Sequence, residues 1–169
     1  MTWAHLHLAL NHFPVVGIPL GVFLLGFALY RRSRELTLAS FWLLAGLALV
    51  TLLVYLTGEP AEELVEGLAG VSEPLMEQHE AAALAATVAT AILGIAATVG
   101  LIGSRGGRSA PRRYATAVLL LALLASSVLA WTANLGGQIR HSEIRSASGE
   151  LIGNEQSSDH PQATVENQD

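Results

Sequence analysis

The chain of 169 residues has no cysteine and no lysine, and only 14% of it is charged. The missing cysteine excludes disulfide frameworks, thiolate zinc sites, iron–sulfur clusters and thioether-attached haem. A soluble domain carries about 25% charged residues. A chain this poor in charge and 51% hydrophobic lacks the polar surface that a water-soluble fold of its size needs. The net charge of −5, with every basic residue an arginine, argues against a nucleic-acid partner.

What the sequence has instead is four long apolar runs, at about 8–30, 36–57, 81–103 and 114–135, none with aspartate, glutamate, lysine or arginine inside. About 20 apolar residues cross a bilayer as a helix. The runs are continuous rather than alternating, which excludes a β-barrel. They also lack the polar face that a helix of a soluble bundle shows. The expected architecture is an all-α integral membrane four-helix bundle over residues 1–145, in contact with the lipid bilayer. A polar tail at 146–169 reads as disordered and solvated. Short connections pair spans one and two, and spans three and four, as antiparallel hairpins. The two hairpins hint at duplication without a clean repeat. Gly17, Gly21, Gly94 and Gly100 are placed to let helices approach closely. Pro14 and Pro19 are expected to weaken the hydrogen-bond ladder of span one.

Charge sets an expected orientation. Seven of the nine arginines fall in two loops, Arg31, Arg32 and Arg34 after span one and Arg105, Arg108, Arg112 and Arg113 after span three. Residues 58–80 carry seven glutamates and no basic residue. Basic loops stay cytoplasmic. The expected placement is therefore multi-pass in a bacterial inner membrane, with both termini and the acidic loop on the periplasmic side. Within that loop the stretch 60–68 reads as a short amphipathic surface helix with Pro60 in its first turn.

The histidines share one side. His5, His7, His12, His79 and His141 all lie at the outer end of a span, while His160 sits in the tail with no expected role. His5 and His12 are seven residues apart and share a helix face, about 10 Å apart along the axis. His7 and Asn11 form an adjacent stripe. Met76 shares a face with His79. Asn134, Gln138 and His141 share another if the helix continues through Gly136 and Gly137. Imidazole is the commonest metal ligand and a frequent haem ligand, and ionisable groups near membrane depth are functional candidates by default. His12, His79 and His141, together with His5, are the candidate ligands of a b-type haem, and Arg140 is placed to pair with its propionates. His12, His79, His141 and Glu80 are the candidate set for a bare transition metal. His5 and His7, close to the terminus, also read as plain interfacial residues.

Four motifs in order carry a family resemblance: Asn11-His12-Phe13-Pro14, Gly58-Glu59, His79-Glu80, and Gly136-Gly137 followed by His141. Together, over roughly residues 5–142, they resemble a family of small bacterial four-helix membrane proteins known as domain of unknown function 2231. Gln138, Ile139 and Arg140 stand where its members often carry an aromatic residue. The resemblance implies a haem- or metal-binding membrane protein, some members being linked to redox domains, with His12, His79 and His141 as the functional set.

Three readings stand on these residues. The first is electron transfer through a His-ligated haem b at the periplasmic face, with membrane or periplasmic redox proteins as partners. The second is a non-haem metal site. The third is a cofactor-free accessory subunit of a larger respiratory or photosynthetic complex. No nucleophile–base pair is evident, so an electron carrier or subunit fits better than an enzyme with its own turnover.

Overall fold

Each long apolar run becomes a helix because its backbone groups must bond internally where no water competes. The computed structural model describes residues 2–64 and 71–140, and those residues form helices joined by short turns, with no strand among them. The helices are α1 (Trp3–Arg31), α2 (Arg34–Leu56), α3 (Gly58–Glu62), α4 (Glu73–Gly103) and α5 (Arg112–Arg140). All but α3 are long and apolar enough to cross a membrane.

Local chemistry sets their ends. The Thr2 hydroxyl accepts from the His5 amide and starts α1. Arg32 closes α1 in the left-handed conformation (φ 53°), and the Ser33 hydroxyl accepts from the Leu36 amide to start α2. The first hairpin therefore turns within two residues. In the second, Gly106 and Gly107 take positive φ (67° and 81°) between α4 and α5. The helices outrun the apolar segments that announce them. α1 begins at Trp3 and α4 at Glu73, one to two turns before the expected span starts. α1 continues through Pro14 and Pro19, and α5 through Gly136 and Gly137. The expected surface helix is represented by α3, with Pro60 inside its short turn. Its continuation over 65–68 lies outside the described residues, as does the tail at 146–169.

α1 packs against α2 and α5, and α4 packs against the same two, so α1 and α4 face each other across the bundle. Gly17 meets Leu47 and Gly21 meets Leu44, a register that runs α1 and α2 antiparallel. The buried positions of α1 are Pro14, Ile18, Gly21, Leu25 and Ala28. Those of α5 include Ala115, Val118, Ala122, Ala125 and Leu129. Both stripes step by three and four, the seam of knobs-into-holes packing.

Large apolar residues lie both inside and outside the bundle, Phe41 and Leu44 among the buried ones, so hydrophobicity does not separate the two. Alanine and glycine face inward on α4 and α5, while Phe23 (79% exposed) and Trp42 (70% exposed) face outward. Lipid is as apolar as leucine, so close packing of small residues drives such helices together. Gly94 shows the need: a Cβ there would collide with the Ala48 side chain where α2 crosses α4. All four glycines expected at close approaches lie at such crossings. The buried hydroxyls of Ser40, Thr51, Thr90 and Ser104 each donate to the carbonyl four residues earlier, so the interior carries them without loss of hydrogen bonding.

Candidate histidine site

Three histidines enter α1 within its first ten residues, and the rotation of the helix decides which one turns inward. His7 lies on the continuation of the buried stripe, 14 residues before Gly21 and half-buried. Its Nδ1 lies 3.1 Å from the Val54 carbonyl and 3.2 Å from Thr57 Oγ1. A carbonyl only accepts, so Nδ1 carries the proton. The Thr57 hydroxyl donates to the same carbonyl at 2.8 Å, which leaves its oxygen to accept from the imidazole. The ring of α1 is thereby fixed on the end of α2.

His79 repeats the arrangement on the second hairpin. It is half-buried near the start of α4, and its Nδ1 donates to the Thr132 carbonyl of α5 at 3.0 Å. Thr132 itself donates its hydroxyl to Val128 within α5. In both hairpins the accepting carbonyl belongs to a residue four before a glycine, Val54 before Gly58 and Thr132 before Gly136. The reason is plainest at Gly136, where a Cβ would lie 3.0 Å from His79 Cε1 and push the ring away. At Gly58 a Cβ would make ordinary contact, 3.7 Å from His7 Cε1.

Because α1 and α4 lie opposite each other, the two rings enter the same end of the bundle from opposing sides. With Nδ1 protonated, each neutral ring keeps its lone pair on Nε2, the nitrogen that coordinates metals when Nδ1 is held by a carbonyl.

The other candidates lie elsewhere. His12 is exposed on α1, with its Nδ1 donating to the Leu8 carbonyl of its own helix at 2.7 Å. His5 is exposed and bonded to the Thr2 hydroxyl at 2.6 Å. His5 and His12 thus share a face, as their spacing requires, but it is the outward one. Glu80 is exposed beside Tyr55 and Glu77 around a shallow cavity of about 240 Å³. Gln138 donates to Asn134 Oδ1 at 2.6 Å, so the face expected to lead to His141 is present as far as α5 is described. His141 and the side chain of Arg140 lie outside the described residues. Among the described residues no three histidine, aspartate or glutamate side chains gather in a way that would hold a metal ion.

His7 is the residue that sequence reasoning left at the interface. Its signal was present: counting back from Gly21 by sevens through Pro14 reaches His7, whereas His12 counts forward by fours through Val16 to Leu20, both exposed on the outside of the bundle.

No family model matches the chain, and neither a curated protein nor a solved structure does.

Proposed function

We propose that the protein is a membrane-embedded electron carrier that holds one b-type haem between His7 and His79. The observation that carries this reading is the matched pair: two imidazoles on opposing helices, each anchored through Nδ1 on a neighbouring helix's carbonyl. Cofactor sites of helical bundles are built in this way, from side chains on facing helices. The number of ligands favours haem over a bare metal. Haem iron takes four nitrogens from the porphyrin and needs only axial ligands from the chain. A bare zinc ion needs three or four protein ligands, and the described residues supply no such set. A metal-ion reading requires His141 in addition.

The bound haem would supply one-electron chemistry, and the chain supplies the rest. Val54, Thr57 and Thr132 orient the rings, and Gly136 leaves room for one of them. The positive-inside rule assigns this end of the bundle to the periplasmic face of a bacterial inner membrane. Redox partners would then dock on that face. The resemblance read from the sequence implies the same class of function but names His12 on α1, whereas this reading takes His7, the histidine that is half-buried there.

The test is a dithionite-reduced minus oxidised absorbance spectrum of detergent-purified protein from haem-replete cells. A reduced α band of b type is expected in the wild type and in His12→Ala. It is expected to vanish in His7→Ala and in His79→Ala. A flat wild-type spectrum overturns the reading, as does a band that survives His79→Ala.

A further inference from the structure

At the opposite end of the bundle, the turn between α1 and α2 and the start of α5 border a partly open cavity of about 430 Å³. Three guanidinium-bearing residues line it, Arg32, Arg34 and Arg112, and no acidic side chain does. Leu29, Leu38 and Ala115 supply an apolar wall. Such a cavity costs electrostatic free energy when left to itself, because like charges converge beside a low-dielectric surface.

Arg32 and Arg112 are exposed, but two details set this cluster apart from an ordinary basic surface. Arg34 is half-buried and already oriented: its Nε donates to the Arg108 carbonyl at 2.9 Å and its Nη2 to the Ser104 carbonyl at 3.1 Å. A guanidinium has five N–H donors, so several remain for a ligand. Arg32 occupies a left-handed backbone position, φ 53°, where glycine is unstrained and a residue with a Cβ is not. The chain keeps a strained arginine at the one place of the first turn that glycine would fill most easily. An observed outlier of this kind is grounds for inferring a use for its side chain.

We propose that this cavity binds a phosphate group through Arg32, Arg34 and Arg112. Planar guanidinium groups match phosphate oxygens in geometry as well as charge. The phosphate has two sources, the headgroup of an anionic phospholipid in the adjoining leaflet or free inorganic phosphate. The apolar wall beside the arginines suits the former, and basic pockets between spanning helices are where such headgroups bind.

The experiment uses the full chain in neutral detergent. Its thermal unfolding is followed against three probes: dioleoylphosphatidylglycerol, dioleoylglycerol as a lipid without phosphate, and inorganic phosphate. Phosphatidylglycerol is expected to raise the unfolding temperature in a saturable way, and dioleoylglycerol is not. Arg32→Gly and Arg112→Gln are each expected to weaken the apparent affinity about fivefold, the usual loss for one basic contact to an anionic surface. Because glycine suits position 32, Arg32→Gly without ligand is expected to unfold no earlier than the wild type, which separates loss of binding from loss of fold. Protection by phosphatidylglycerol alone assigns a lipid headgroup. Equal protection by inorganic phosphate, lost in the same variants, assigns the free anion. Protection by dioleoylglycerol equal to that by phosphatidylglycerol overturns the proposal. So do the absence of protection by either phosphate probe and affinities unchanged in both variants.

Discussion

The two ends of the bundle solve the same problem in opposite ways. At the histidine end the hairpins make equivalent contacts: an imidazole from the first helix of each hairpin donates to a carbonyl near the end of the second. At the arginine end they differ. The first hairpin turns within Arg32 and Ser33, the second needs a glycine-containing loop, and one side chain, Arg34, ties that loop to the first hairpin. Equivalent contacts on opposing helices place two like groups on either side of one axis, which suits a single ligand held from both sides. Unequal turns leave an off-axis cavity lined from both hairpins. The same four helices thus present a paired site at one end and a one-sided pocket at the other.

The comparison breaks most sharply at the rings. Under the haem proposal, His79→Ala and His7→Ala are each expected to abolish detectable haem binding, a larger loss than the roughly tenfold that an orienting partner alone is worth. Haem per chain by pyridine haemochrome assay measures the loss, and His12→Ala is expected to retain the wild-type value. Gly136→Val sharpens the same end: its Cβ would crowd His79 Cε1, so under the haem proposal affinity is expected to fall about tenfold with both proposed ligands still present. Midway between the ends, Gly94→Val forces α2 from α4, and overpacking of this kind costs about 1–3 kcal/mol. The expected drop in unfolding midpoint in detergent should be accompanied by loss of haem. At the arginine end, Arg34→Ala removes two charge-assisted hydrogen bonds from a half-buried side chain. The expected cost is about 1–2 kcal/mol, with faster proteolysis between α4 and α5 and an unchanged haem spectrum. The smallest change is Ser33→Ala, about 1 kcal/mol from loss of the helix cap, read as a small shift in the same unfolding midpoint.

Much of this molecule was legible in one dimension. The four apolar runs became four helices, and the seven loop arginines came to lie at one end. Gly17, Gly21, Gly94 and Gly100 came to lie where helices cross. Each of these depends on local chemistry alone: length of an apolar run, interruption by charge, absence of a Cβ. Helix ends were less legible, because His5, His7, Gln78 and His79 are polar yet continue the helices that precede the membrane core. The choice among His5, His7 and His12 was the least legible. α1 is apolar on every side, so hydrophobic patterning leaves its rotation undetermined, and the spacing of His7 from Pro14 and Gly21 becomes a signal only once those two residues are known to face inward. The stripe of small and buried residues from Pro14 to Ala28 sets that rotation, through contacts with Leu44 and Leu47 on α2.

The sequence by itself determined that the chain is helical, apolar enough to cross a membrane four times, and polarised between an arginine end and a histidine end. These follow from composition and order, which no packing arrangement alters. Only the tertiary structure decided that His7 rather than His12 turns inward to accompany His79, and that three arginines line one cavity. The physical reason is that both depend on the angle at which one apolar helix meets another. In a lipid-like surrounding that angle is set by the fit of side-chain volumes, such as glycine against leucine, and not by the hydrophobic pattern of either helix alone.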